Sequence, residues 1–258
     1  MRLVKERKGQ FIIIAALLIS IMILSISTII YGTVTYYRQE RWEEYVTMID
    51  SIKTGSTNLL GISIAQYSQT NNLTVLRDNL NQWVRDVRKA YPGFGVDLTY
   101  NLASGIKSAY GLNINYSLGL ARNWNQALSF SAANVTFTID IASVGLTGYS
   151  FSTHAFLKMN IRDAIYYTGS KYVSIFVNVE REDLVPITTL QSSNFAVSVN
   201  DGPQSFTFKR GYSTTYGSHV YELRASFASQ PSSVGVTVTD TRGIKTVSGS
   251  TSIGTNNG

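Results

Sequence analysis

The chain has 258 residues, no cysteine, a formal net charge of +6, and charged side chains at only 15% of its positions. Because +3 of that charge lies in residues 1–9, the remainder has no basic cluster of the kind that nucleic acid requires, and we expect no nucleic-acid partner. The absence of cysteine excludes disulfide bonds, thiolate catalysis and cysteine-based zinc sites.

The first predicted element is a transmembrane helix over the stretch Phe11–Ile30, in which 16 of 20 residues are apolar. The other four residues are Ser or Thr, and no charged residue occurs from position 9 to position 37. A helix of this length rises about 30 Å, which matches the hydrocarbon thickness of a bilayer. The stretch has no polar face, whereas a helix on the surface of a soluble protein requires one.

The charges on either side of this stretch predict its orientation. Residues 1–9 carry a net charge of +3, whereas residues 38–44 carry −1. Since basic residues stay on the cytoplasmic side, we expect a single-pass membrane protein with a cytoplasmic N-terminus. Residues from about Arg38 onward are then extracytoplasmic, at the cell surface.

A cleaved secretory signal and a plain single-pass anchor are two alternatives for this segment. A secretory signal has an apolar region of roughly 7–15 residues and an A-x-A-like cleavage site behind it. Here the run is longer and no such site follows. A plain anchor has the same physical signature as any other spanning helix, so that alternative stays open.

The N-terminal sequence RKGQFIII has a basic tail, then Lys8 and Gly9, then an unbroken apolar helix. This order resembles the prepilin-type (class III) signal of type IV pilins, especially that of archaeal pilin-like surface proteins. The resemblance implies that a prepilin-type peptidase cleaves between Gly9 and Gln10, and that the helix later packs against like subunits or other pilins. Many bacterial pilins have Glu at the fifth mature position, where this chain has Ile14, and the resemblance covers only about the first fifty residues.

After the apolar stretch, we expect the helix to continue outward as a stalk, so that residues 10–53 form one transmembrane helix and stalk. Gly55 and Ser56 are predicted to end it. Residues 54–92 are predicted to form a small helical collar, whose main helix starts after Asn71-Asn72 and ends before the turn at 91–95.

From residue 93 the hydrophobic period changes from 3.6 to 2, which predicts β-strands with one buried face. We predict a first β region over 93–168, a second over 169–248, and a flexible polar tail over 249–258. The second region resembles an immunoglobulin-like β-sandwich in architecture, without the Cys-Trp-Cys signature. The predicted fold class is therefore α+β, with antiparallel β-sandwich domains that are either separate or parts of one larger sheet system.

The search for catalytic and metal-binding motifs predicts none. His154 and His219 lie in no metal-ligand spacing and are best interpreted as surface or strand-edge residues. Glu180, Glu182 and Asp183 are either cation ligands or, more simply, a solvated strand end. We therefore expect no catalytic residue, no cofactor and no metal, and the chain is not expected to be an enzyme.

Three N-glycosylation sequons lie on the predicted outer side. They begin at Asn72, Asn115 and Asn134. Asn72 can also cap the collar helix.

Together these features favour a membrane-anchored, pilin-like structural subunit, a major or minor pilin, for filament assembly or adhesion. The alternative is a non-polymerising anchored ectodomain that binds a cell-envelope or protein partner. A third hypothesis is an extracytoplasmic enzyme whose site is assembled from residues far apart in the sequence.

Overall fold

The structure is a computed structural model that describes residues 3–213, 217–249 and 252–256, without the side chains of 3–11, 36–41, 210 to 213, 217 and 218. The chain divides into two compact units, Met1–Ile52 and Lys53–Gly258. The fold is α+β, with an apolar N-terminal helix and mostly antiparallel sheets.

The first unit is formed by the first part of helix α1, which runs over Leu3–Thr70. Within it, Ile12–Thr35 has a mean hydropathy of 2.8 over 24 residues, and none of its most apolar window is buried. This stretch is long and apolar enough to cross a membrane. Two of its hydroxyl groups are bonded within the helix: Ser20 Oγ donates to the carbonyl of Ala16 at 2.9 Å, and Thr28 Oγ1 donates to that of Leu24 at 2.8 Å.

The prediction that Gly55 and Ser56 end this helix is wrong, because α1 continues through both to Thr70. Gly55 instead lies against the indole of Trp83 on the second helix, α2 (Val75–Ala90), where a Cβ would be 2.4 Å from Trp83 Cη2. Trp83 Nε1 donates a hydrogen bond to Ser56 Oγ at 3.0 Å. The glycine therefore allows two helices to approach closely.

The predicted collar helix is confirmed as α2, which buries Leu76, Leu80 and Val87. It starts slightly later than Asn72 would place it. The Asn72 Oδ1 atom accepts the backbone N–H of Thr74 at 3.0 Å, so Asn72 orders the turn before the helix.

The largest sheet has eight strands in the order β1-β5-β6-β7-β11-β10, with β4 also paired to β5 and β14 to β6. All its pairings are antiparallel except that of β14 with β6. Its strands are β1 (Val96–Leu102), β4 (Leu120–Asn123), β5 (Leu128–Ile141), β6 (Leu146–Tyr167), β7 (Tyr172–Arg181), β10 (Thr207–Ser213), β11 (Gly217–Ser226) and β14 (Gly254–Asn256). The period-2 prediction holds best on β5, where Val135, Phe137 and Ile139 are fully buried.

Two smaller sheets complete the second unit. One has the order β13-β12-β8-β9, and the other is the hairpin β2-β3. Their strands are β2 (Gly105–Ala109), β3 (Leu112–Tyr116), β8 (Phe195–Val199), β9 (Gly202–Gln204), β12 (Val234–Thr239) and β13 (Lys245–Val247). Single 3-10 turns occur at Ala142–Val144, Glu182–Leu184 and Ser192–Asn194.

Strands from both predicted β regions hydrogen-bond in the same sheet, since β6 pairs with β7 from Leu157 opposite Arg181 to Tyr167 opposite Tyr172. The predicted flexible tail also differs from the structure. It contains β14, which pairs with β6 at Ile165–Tyr167, where β5 no longer occupies that edge. The backbone hydrogen bonds of the free edge explain why so polar a segment forms a strand.

Candidate functional site

A groove of about 700 Å³ in the second unit is the best candidate for a binding site. It lies between α1 and β6. It is lined by Thr57, Asn58, Gly61 and Ile62 of α1, by Ser152, Thr153, His154 and Ala155 of β6, and by Glu182 and Arg242.

The helical wall of the groove follows from the spacing of its residues. Positions 57 and 58 are each followed three or four residues later by 61 or 62, so the four residues share one face of α1. Gly61 has no other group within 4 Å of a Cβ position, and Ile62 is 55% exposed. The helix and β6 are joined where the hydroxyls of Thr57 and Thr153 share a hydrogen bond of 3.0 Å.

The charged end of the groove is built around Arg242. Its Nη1 lies 2.5 Å from Glu182 Oε1, and its Nε lies 2.8 Å from Asp240 Oδ2. Its Nη2 donates to the carbonyl of Phe156 at 3.2 Å. Burial alone would lower the pKa of Arg242, but the hydrogen bonds and negative charges of Glu182 and Asp240 outweigh it and raise the pKa. Arg242 is therefore a fixed, neutralised cation.

Asp240 positions this arginine from below the surface. Its side chain is only 1% exposed. Its Oδ1 atom accepts the backbone N–H groups of Arg242 and Ile244, each at 2.9 Å. Nothing local in the sequence shows that Asp240 and Glu182 hold the same guanidinium.

His154 lies on β6 with its side chain 38% exposed and its Nε2 atom 3.8 Å from Asp183 Oδ1. The ring of Tyr110 is 5.6 Å away, between centroids. Burial, assisted by nearby phenol and carboxyl groups, raises the pKa of Tyr110, so its hydroxyl stays protonated. The neighbouring Ser152 hydroxyl is bonded to Thr136 at 2.9 Å rather than to the imidazole. Among the described residues of the groove, no hydroxyl is hydrogen-bonded to the imidazole of His154.

The acidic residues near the end of β7 do not converge. Glu180 Oε2 lies 2.7 Å from Lys158 Nζ, whereas Glu182 and Asp183 face Arg242 and His154. Within the described part of the chain, no group of three or more His, Cys, Asp or Glu residues could hold a metal ion.

The residues predicted to take part in processing and glycosylation lie far apart along the chain. Lys8, Gly9 and Gln10 belong to α1, and their side chains lie outside the described residues. Asn72 and Asn115 are exposed. Asn134 is half-buried on β5, between β4 and β6. His219 is exposed, on β11.

A half-buried carboxylate, Glu222, lies outside the groove, on β11. Arg224 Nε lies 2.5 Å from Glu222 Oε1, and Ser174 Oγ donates to the same oxygen at 2.8 Å. Burial alone would raise the pKa of the Glu222 carboxyl, but the hydrogen bonds from Arg224 and Ser174 outweigh it and hold that pKa below its ordinary value.

No protein-family model, curated protein or solved structure matches this chain. Its class is therefore set by the fold alone: an α+β protein with an apolar N-terminal helix and mostly antiparallel sheets.

Proposed function

We propose that the chain is a membrane-anchored surface subunit of the pilin-like kind, with Ile12–Thr35 in the bilayer and residues 53–258 outside. The observation that carries the proposal is the apolar, unburied stretch of α1, with its mean hydropathy of 2.8. Its large side chains have no cover in the chain, and the exposed fractions of Ile12 and Leu24 are 67% and 69%.

The energetics of this stretch favour lipid or other helices as its surroundings. Burying one such side chain is worth about 1.5–3 kcal/mol, so more than a dozen of them exposed to water would be strongly unfavourable. Four hydroxyl groups of the stretch oppose transfer into hydrocarbon only weakly, because Thr33 and Thr35, like Ser20 and Thr28, donate to carbonyls one turn earlier.

The pilin-like part of the proposal rests on Lys8-Gly9-Gln10, which suits cleavage by a prepilin-type peptidase after Gly9. The mature helix would first lie in lipid and then exchange lipid for identical helices in a filament core. That exchange replaces one apolar environment by another, so its cost in hydrophobic free energy is small.

We further propose that residues 169–248 form an immunoglobulin-like sandwich displayed for adhesion or lateral contact. Seven strands, β7–β13, fall in this range. The ring of Phe195 on β8 lies 5.5 Å from that of Phe208 on β10 and 5.1 Å from that of Tyr221 on β11. These ring contacts link a strand of the four-stranded sheet to two strands of the eight-stranded sheet, which supports a two-layer arrangement.

The anchor and its processing are tested by intact mass and N-terminal sequencing of the protein from its own membranes. We expect a chain that starts at Gln10 and resists extraction by alkaline carbonate. Retention of residues 1–9 would contradict the prepilin-type processing, and release by carbonate would contradict the anchor.

Orientation is tested with single cysteines, since the chain has none of its own. We expect Ser117→Cys, at an exposed site, to react with a membrane-impermeant maleimide on intact cells, and Ser63→Cys, at a fully buried site, to stay unlabelled. Labelling of Ser117→Cys only after lysis would refute the proposed orientation.

Polymerisation is tested by Ile23→Cys, which we expect to form disulfide-linked multimers in filaments. Membrane-bound protein without such multimers would instead support the non-polymerising ectodomain.

A further inference from the structure

We propose that Arg122, Trp124 and Lys245, with the amide side chains of Asn125 and Gln126, bind an acidic polysaccharide through its carboxylate groups. This cation–indole site is separate from the groove and is formed by the end of β4, the loop after it, and β13. Its ligand class goes beyond the role of anchored subunit and is independent of whether the chain polymerises.

Two cationic groups share one aromatic ring at this site. The guanidinium carbon of Arg122 lies 4.6 Å from the ring centroid of Trp124, and Lys245 Nζ lies 5.8 Å from the same centroid. Arg122 also lies 5.8 Å from the ring of Tyr67, which is 4% exposed on α1. Such contacts hold cations in place without neutralising them.

Among the side chains that the structure describes, no carboxylate is paired with either cation. Other cations of the second unit are paired, since Lys158, Arg224 and Arg242 each lie within 2.8 Å of an acidic oxygen. Over the described ranges, no ion pair includes Arg122 or Lys245, and no side-chain hydrogen bond uses their cationic nitrogens. Two cations held at one ring without an acidic partner favour anionic groups beside that ring.

The site is held rigid by hydrogen bonds beneath it. Trp124 Nε1 donates to Ser131 Oγ at 3.2 Å, and that hydroxyl donates to the carbonyl of Lys245 at 2.6 Å. The loop is fixed to β13 and the residues after it. The N–H of Asn125 donates to the carbonyl of Val247 at 3.2 Å, and the N–H of Gly249 to that of Gln126 at 3.1 Å. A rigid site loses less entropy when it binds a ligand.

The chemistry of these groups selects a carboxylated sugar polymer. A guanidinium binds a carboxylate through two parallel hydrogen bonds, and a repeating acidic chain offers a second charge to Lys245. Asn125 and Gln126 are exposed, and amides hydrogen-bond well to sugar hydroxyls. A duplex of nucleic acid would need more basic residues than the two found here.

The test measures binding of polygalacturonate, a uronic-acid polymer, to the detergent-solubilised full chain, with neutral dextran as the uncharged comparison. We expect polygalacturonate to bind, more weakly at high salt, and dextran not to bind. Arg122→Gln and Lys245→Gln should each weaken binding about tenfold, and Arg122→Lys should lose part of it because it cannot form the bidentate contact. The matched control is Lys107→Gln, an exposed cation on β2 with the same charge change, which should alter affinity less than about twofold.

Unchanged thermal unfolding of each variant shows that it is folded, and Lys245→Gln keeps the backbone carbonyl that orders the site. An equal loss in Lys107→Gln would overturn the proposal, because binding would then follow net charge alone. Absence of polygalacturonate binding would also overturn it. Equal or tighter binding of polyglutamate would identify an acidic protein segment, rather than a polysaccharide, as the ligand.

Discussion

The sharpest test of the helical packing is Gly55→Ala. A Cβ at this position would lie 2.4 and 2.5 Å from Cη2 and Cζ2 of Trp83, where ordinary contacts are 3.4–4 Å. The indole must therefore move by about 1 Å, although its N–H is bonded to Ser56, which is fully buried. Overpacking of this kind costs about 1–3 kcal/mol, against a gain of up to about 1 kcal/mol from replacing glycine in a helix.

We expect Gly55→Ala to lower the free energy of unfolding by about 1–2 kcal/mol, and the thermal midpoint of unfolding by about 2–8 °C. The matched control is Gly61→Ala on the same helix, where nothing lies within 4 Å of the new Cβ. It should raise the midpoint, because alanine has the higher helix propensity. Near-ultraviolet circular dichroism of the full chain in detergent measures the unfolding midpoints of the two variants.

A double-mutant cycle isolates the cause. In a Trp83→Ala background the obstacle is gone, so adding Gly55→Ala should stabilise the protein as Gly61→Ala does. If Gly55→Ala raises the midpoint in the native background too, the close approach of the indole does not explain this glycine.

Three further outcomes are expected. Asp240→Ala removes an acceptor of three hydrogen bonds and should lower the free energy of unfolding in urea by about 3–5 kcal/mol. The control Asp86→Ala, at an exposed position, should change that free energy by less than about 0.5 kcal/mol. Equal urea midpoints for the two variants would refute this prediction. The lowered pKa of Glu222 stabilises the fold above the ordinary carboxyl value of 4.5, and this contribution disappears as pH falls through the folded pKa. Glu222→Gln should thus be less stable than the native chain near neutrality, and a gap that does not narrow on acidification would contradict the pairing. Gly249→Ala should weaken polygalacturonate binding, because its Cβ would lie 2.0 Å from the backbone carbon of Asn125; native affinity in a folded variant would show that the loop needs no such packing.

Local patterns in the sequence predicted the elements that depend on local physics. The alternation Val135, Phe137, Ile139 marks β5 because one face of that strand is buried. The long apolar run and the amphipathic pattern of α2 likewise predict helices. The prediction that the helix ends at Gly55 is wrong because glycine is unfavourable within an isolated helix, whereas here it makes room for Trp83 on α2.

The candidate sites depend on pairings that no local pattern records. Glu182 and Arg242 are 60 positions apart, and they meet because the Asp240 turn brings the arginine back to β6. Strand β14 has little apolar alternation and forms through backbone hydrogen bonds with a free edge. Arg122 and Lys245 are likewise brought to one ring by tertiary packing rather than by spacing.

The hydrogen bond between α1 and β13 also constrains when the second unit can finish folding during synthesis. Ser68 on α1 is 2% exposed, and its hydroxyl accepts the backbone N–H of Lys245 at 3.0 Å across 177 positions. The ribosome synthesises α1 first, so this contact can form only after Lys245, 177 positions later, has been synthesised. A product that stops before β13 lacks Lys245, to whose backbone both Ser68 and Ser131 are hydrogen-bonded. We therefore expect products truncated before β13 to be more sensitive to proteases than the full chain.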